Sequence, residues 1–109
     1  MIDIRIVRDK EGFIWEFTVK GHAGFDKRGS DIVCAAVSAV AYTAIGALDD
    51  LADIKNYSEK SGFMNCSIPA EIPEDKKQVA RIILETMSIG FIQIRDTYKK
   101  YVSVLETEV

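Results

Sequence analysis

The stretch GHAGFDKRGSDIVCAAVSAVA, residues 21–41, carries the only histidine of the chain, His22, and one of its two cysteines, Cys34. Charged turns punctuated by glycine run straight into a segment rich in alanine and valine. Because Ser30 and Asp31 are both good N-cap residues, a helix is predicted to begin there, with Cys34 in its first turn. The stretch therefore predicts a joint between a strand and a helix, with an imidazole before it and a thiol after it.

The segments around this joint predict an α+β fold. Residues 31–52 show helical spacing, and a second helix with an acidic first turn begins at Pro73. Alternating apolar and polar residues predict strands at 2–8, 13–21, 54–60, 62–70 and 101–109. The predicted order is ββαββα(β). It describes a single domain over residues 1–109, in which a small antiparallel sheet of two hairpins and a last edge strand packs with two helices.

Composition and charge narrow the class of protein. The hydrophobic fraction of 48% and the charged fraction of 28%, over 109 residues, are those of a globular domain. The net charge of -3 disfavours a broad nucleic-acid-binding surface, so no direct nucleic-acid binding is predicted. The sequence shows neither a secretion signal nor a long uninterrupted apolar run, so we expect a cytoplasmic protein with no membrane segment.

The cysteine and histidine content predicts no metal site and no cofactor. Two cysteines and one histidine, without CxxC or HxxxH spacing, are a poor zinc set. In a reducing compartment both thiols are expected to be free. Cys66 lies mid-strand between Met64 and Ile68, which is the pattern of a small buried core residue. Cys34 is therefore the candidate for chemistry.

The first predicted helix is apolar nearly all round. A helix that lies on one sheet with its other side in water would show a polar stripe. Because this helix shows none, something must cover its far side. The second helix can cover part of it, and a second subunit could cover the rest.

A thiol in the first turn of a helix is placed for nucleophilic catalysis. The first backbone N–H groups have no intrahelical partner, and the helix dipole favours negative charge there. The dipole stabilises a thiolate by only about 0.3–1 kcal/mol, so most of the stabilisation needed at neutral pH would have to come from an imidazolium. The short loop allows His22 to reach Cys34 and to act as base and then acid. The free N–H groups of the helix start are placed to bind an oxyanion.

Four further residues are candidates with two interpretations each. Asp31 either orients His22 or simply caps the helix. Ser38, one turn further along the helix than the thiol, either donates a hydrogen bond into the site or is a small packing residue. Gly24 and Gly29 make the loop a candidate flap that closes over substrate, although it is equally a plain solvated loop.

These residues resemble the signature of the ribosomal-processing cysteine proteases of bacteria, the Prp family. That signature is Gly-His-Ala, followed by Gly-x-Asp-Ile-Val-Cys-Ala and then Ser. The matching positions in this chain are Gly21, His22, Ala23, Gly29, Asp31, Ile32, Val33, Cys34, Ala35 and Ser38. Outside this motif the likeness lies in length and in the order of elements.

The resemblance implies a cysteine endopeptidase with Cys34 as nucleophile and His22 as its acid/base partner. Members of the family remove a Phe-rich N-terminal extension from a large-subunit ribosomal protein, the twenty-seventh in the usual naming, during ribosome maturation. They form homodimers, and their loop between histidine and cysteine closes over the peptide. The rival interpretations are a non-enzymatic module that binds the ribosome or another protein, and a thiol enzyme of another kind, such as a small amidase.

Overall fold

The computed structural model describes residues 1–27 and 30–109 of the chain. Over these residues the elements follow the predicted order, and the α+β class is confirmed. In chain order they are β1 (Ile2–Arg8), β2 (Ile14–Gly21), α1 (Ile32–Ala52), β3 (Tyr57–Lys60), β4 (Phe63–Ser67), α2 (Glu74–Thr97) and β5 (Val102–Glu108).

The strands form one sheet in the order β3-β4-β2-β1-β5. β1 and β2 form an antiparallel hairpin with Ile2 opposite Gly21, and β4 pairs antiparallel with both β2 and β3. β5 instead runs parallel to β1, with Ile2 opposite Val102. The sheet is therefore mostly antiparallel rather than wholly so, because the long helix α2 carries the chain back to the end of the sheet where β1 begins.

The core lies between one face of the sheet and the two helices. On β1, Ile2, Ile4 and Ile6 are buried while Asp3 and Arg5 on the opposite face are exposed, as the alternation predicts. Both helices send buried side chains into the same cluster as these strands, among them Val33, Val37, Leu48, Leu84 and Phe91. The helices and the sheet therefore share one core, on which the end of β2 and the start of α1 are both fixed.

Helix α1 is a core helix with caps at both ends. Asp31 caps its start, and Asp53 caps its end in the left-handed conformation, with φ 56° and its N–H bonded to the carbonyl of Leu48.

By length and composition α1 is the one helix in the described part of the chain that could cross a membrane. An 18-residue window of it has a mean hydropathy of 1.8, and 33% of that window is buried. A core helix passes the same test, and residues from Val33 to Ala52 on α1 pack into the core.

Candidate active site

A cleft of about 550 Å³ lies at the end of the sheet where β2 stops and α1 begins. Its walls come from His22 after β2, from Cys34 and Ser38 on α1, and from the β3–β4 hairpin. The hairpin reaches the joint because β4 pairs with β2, which brings Gly62 next to Gly21. The fold thus brings three of the predicted site residues into one open site.

Cys34 lies in the first turn of α1, half-buried, with a free thiol. Its Sγ accepts a hydrogen bond from the backbone N–H of Ala23, with 3.2 Å between nitrogen and sulfur. This donor and the positive end of the helix dipole both interact favourably with negative charge on sulfur. The position suits a nucleophile that must carry charge and still be reached from the cleft.

Asp31 caps α1 and ties the preceding loop to it. Its Oδ1 accepts hydrogen bonds from the N–H groups of Val33 and Cys34, each at 3.0 Å. Its Oδ2 accepts from the N–H groups of Phe25 at 3.0 Å and Asp26 at 3.3 Å. Burial alone would raise the pKa of Asp31, but these backbone donors outweigh it and hold that pKa below its usual value.

The cap has two consequences for the sequence-based expectations. The hydrogen bonds of Asp31 go to backbone groups at the helix start and in the loop rather than to His22. The predicted use of the helix start as an oxyanion hole is wrong for the N–H groups of Val33 and Cys34, because the carboxylate cap already takes both donors. The N–H of Ala23 is the backbone donor that lies at the sulfur.

His22 follows β2 directly and is exposed at the cleft. Gly21 before it has φ +97°, and its N–H donates to the carbonyl of Gly62 at 2.8 Å. Within residues 1–27 and 30–109, no hydrogen bond joins the imidazole to Cys34 or to a carboxylate. Catalytic hydrogen bonds are often loose without substrate and tighten when it binds.

The loop between His22 and α1 is anchored on its far side. The ring of Phe25 packs edge-on against Tyr98 and Tyr101, with centroids 5.8 Å and 5.2 Å away. Gly24 has φ +71° and open space around it, so a turn of this shape favours glycine there. Gly29, the second glycine predicted for a flap, lies outside the described residues.

Cys66, the second free thiol, differs from Cys34 in burial and position. It is buried in β4, 2% exposed, and lies away from the cleft. Burial raises the pKa of the Cys66 thiol to about 11. Its prediction as a core residue is confirmed. Among the described residues, no group of three or more His, Cys, Asp or Glu is placed to hold a metal ion.

Sequence reasoning missed the contribution of the β3–β4 hairpin. Glu59, Gly62 and Phe63 form a wall of the cleft opposite α1, and the Tyr42 hydroxyl on α1 donates a hydrogen bond to the carboxylate of Glu59. The turn at residues 61–62 is the only local signal. It locates a turn but does not say which part of the fold the turn lies against.

A free thiol in the first turn of a helix, sharing an open cleft with an imidazole, is the arrangement of a cysteine protease. The sequence profile of the family described as cysteine protease Prp matches residues 1–103. The ribosomal processing cysteine protease Prp of Bacillus subtilis (strain 168) is 31% identical over 102 residues, which is 91% of this chain and 91% of that protein. The chain therefore belongs to the Prp family of cysteine proteases, and the resemblance seen in its sequence is confirmed.

Solved structures show the same fold. An essential ribosomal processing protease Prp from S. aureus, in complex with a covalently linked product peptide, has a TM-score of 0.82 and 26% identity, covering 97% of this chain and 99% of that one. A Streptococcus mutans protein has a TM-score of 0.82 and 26% identity, covering 100% and 96%. With the family shown, the chain is a cysteine protease, and the interpretation as a non-enzymatic module is set aside.

Proposed function

We propose that this protease removes the Phe-rich N-terminal extension of a large-subunit ribosomal protein, the twenty-seventh, with Cys34 as nucleophile and His22 as acid/base. The observation that carries these roles is the shared cleft, in which the thiol accepts a hydrogen bond at the start of a helix and the imidazole stands beside the opening. Relatives that are named ribosomal processing proteases support a ribosomal protein as the substrate. The choice of the twenty-seventh protein and of its Phe-rich extension rests on the family resemblance of the sequence.

The reaction uses the two groups in sequence. His22 takes the thiol proton, and the Cys34 sulfur attacks the scissile carbonyl carbon to form a tetrahedral intermediate. As this collapses, the imidazolium gives its proton to the leaving amine, and the carbon–nitrogen bond breaks. The imidazole then takes a proton from water, whose oxygen attacks the thioester, and the second product leaves with a new carboxylate as the thiol is restored.

The developing oxyanion needs a hydrogen-bond donor near the sulfur. The backbone N–H of Ala23 lies 3.2 Å from Sγ, and it can turn its bond to the oxygen that develops next to the new carbon–sulfur bond. Ser38, exposed on the cleft wall, supplies a hydroxyl that hydrogen-bonds the bound peptide. Asp31 acts indirectly, since it holds the helix start and the loop together.

The cleft suits an extended apolar peptide. Ile2, Val19, Val37 and Met64 give it apolar walls. Burial of aromatic side chains against such walls contributes roughly 25 cal/mol per Å² of apolar surface. We also propose that the loop with Gly24 at its start closes over the bound peptide, a movement that requires Phe25 to leave its contacts with Tyr98 and Tyr101.

A second copy of the chain covers the outer side of the helices. An apolar groove lies there between α1 and α2, and it is flanked by Ile82 and Ile89, which are 69% and 58% exposed. Pairing of two copies across this groove would remove these side chains from water. The homodimer that the family resemblance implies therefore pairs through this groove. Residues 1–109 work as one protease domain in the cytoplasm, where thiols stay reduced.

Cleavage of a defined peptide tests the function. The peptide spans the N-terminal extension and its junction in the ribosomal protein of the same organism, and mass spectrometry reads the products. We expect one cut by the wild type, none by Cys34→Ala, and a loss of about 10²–10⁴-fold in His22→Ala. Cys66→Ala removes the other thiol without touching the cleft and retains cleavage. An uncut peptide, or a Cys34→Ala variant that still cuts, would contradict the proposal.

A further inference from the structure

We infer that Gly62, in the turn between β3 and β4, is a positioning residue for the His22 imidazole. A Cβ atom placed on Gly62 would lie 2.8 Å from Nε2, 3.4 Å from Cδ2 and 3.5 Å from Cε1 of that ring. The backbone of the turn is therefore a surface against which one edge of the imidazole rests. In the described residues no side chain is hydrogen-bonded to this ring, so its position depends on packing contacts such as this one.

The turn itself is held in place beside the histidine. The carbonyl of Gly62 accepts a hydrogen bond from the N–H of Gly21 at 2.8 Å, and Phe63 pairs with Lys20 in the ladder between β4 and β2. A shift of the hairpin would therefore move its contact with the ring. Gly62 also has φ +71°, a conformation in which side chains are strained.

Glycine at this position thus meets two separate demands. The turn needs a left-handed residue, which asparagine also tolerates. The imidazole needs the space that any Cβ would take. Because His22 is exposed, its ring can swing away from an added side chain with little effect on folding. The loss then falls on the position of the base, where a displacement of about 1 Å lowers a rate by up to about 100-fold.

The inference rests on the proposed role of His22, and it is tested by comparing Gly62→Asn with Gly12→Asn. Gly12 lies in the β1–β2 turn with φ +86° and has nothing within 4 Å of an added Cβ. It therefore has the same left-handed backbone as Gly62 but no contact with the imidazole. His22 is the only histidine, so its imidazole C–H resonances in NMR report the ring directly. We expect Gly62→Asn to shift these resonances and to lower kcat by about 10- to 100-fold. Gly12→Asn should match the wild type in both.

Two outcomes would overturn the inference. One is a folded Gly62→Asn protein whose imidazole resonances and kcat match those of the wild type. The other concerns the His22→Ala background, in which adding Gly62→Asn should leave the alkylation rate of Cys34 unchanged. A lower alkylation rate in the double variant would mean that Gly62 affects Cys34 by a route other than the imidazole. Failure of Gly62→Asn to fold while Gly12→Asn folds would overturn the inference as well, because it would mean that Gly62 serves folding and that the ring does not swing aside. Cleavage by His22→Ala at the wild-type rate would refute the proposed role of His22, whereas the NMR result would still report the contact.

Discussion

The backbone N–H of Ala23 donates a hydrogen bond to the Sγ of Cys34, with 3.2 Å between the two atoms. Ala23 is the residue directly after His22, so the same piece of backbone that carries the imidazole also touches the sulfur. The two groups are therefore coupled through the chain as well as across the cleft. A displacement of the loop start therefore moves the base and the backbone donor together.

The two thiols should react at very different rates. Burial raises the pKa of the Cys66 thiol to about 11, which lowers its thiolate fraction at pH 7 by more than about 100-fold relative to an ordinary exposed thiol. Cys34 opens to the cleft. We therefore expect iodoacetamide to label Cys34 at least about 100-fold faster, as measured by peptide mass spectrometry. In denaturant both should be labelled alike, and a native protein that labels both equally would contradict the burial of Cys66.

The carboxylate of Asp31 should make stability depend on acid pH. Its folded pKa lies below the unfolded value of about 3.9, so its contribution is fully present above that value and is lost as the pH falls through the folded pKa. In Asp31→Asn, Oδ1 can still cap Val33 and Cys34, but an amide nitrogen replaces the acceptor for Phe25 and Asp26.

The measurement is the urea midpoint of wild type and Asp31→Asn at several pH values. The wild type should be more stable by a constant margin from pH 5 to 7, and this margin should shrink below pH about 4. A margin that is the same at pH 3 as at pH 7 would show that the ionised carboxylate contributes nothing beyond its cap.

The apolar groove between α1 and α2 should set the oligomeric state. Ile89→Glu places a charge on the surface proposed for pairing, where its desolvation opposes association. We expect sedimentation to show a dimer for the wild type and a monomer for Ile89→Glu. Leu105→Glu is the matched control, because Leu105 is equally exposed, 59% against 58%, but lies on β5 away from the groove. A dimer that survives Ile89→Glu would place the interface elsewhere.

Arg8 should contribute more to stability than the other ion pairs do. Its guanidinium bonds Glu85 on α2 with both Nη atoms, Glu106 on β5, and the carbonyl of Gly12, so it joins three parts of the fold. A lysine cannot reproduce this forked geometry. Arg8→Lys should lower the free energy of unfolding by about 1 kcal/mol in urea titrations.

The exposed pair between Lys76 and Asp53 provides the comparison. Lys76→Gln should be indistinguishable from the wild type, because exposed ion pairs are screened by water. Equal effects of the two substitutions would mean that the network around Arg8 adds nothing to an ordinary surface pair.

Much of the fold could be predicted from the sequence because it depends on local patterns. The helix α1 is found from its cap residue Asp31 and its apolar spacing, and β1 from the alternation of Ile2, Ile4 and Ile6. The parallel pairing of β5 with β1 could not be found in this way. Alternation identifies a strand and its buried face, but it does not identify the neighbour that the strand joins or the direction of pairing.

The residues of the site that are close in the sequence could be predicted, whereas those brought together only by folding could not. His22, Cys34 and Ser38 are close in the sequence, so one motif names all three. The support for the imidazole comes from Gly62, which the sequence separates from His22 by a whole helix and a strand. Whether Asp31 faces the histidine or the helix start also depends on side-chain geometry that no spacing encodes.

The parallel pairing of β5 with β1 also gives the two ends of the chain different surroundings. Ile2 lines the cleft, whereas the N–H of Val109 bonds the carbonyl of Arg8 at the opposite end of β1, roughly 20 Å away at about 3.3 Å per residue. An affinity tag or fluorophore joined before Ile2 would begin at the wall of the cleft, where it competes with the incoming peptide. The same label on the carboxyl end leaves the entrance free, so kinetic assays and crystallisation with peptide call for carboxyl-terminal tags.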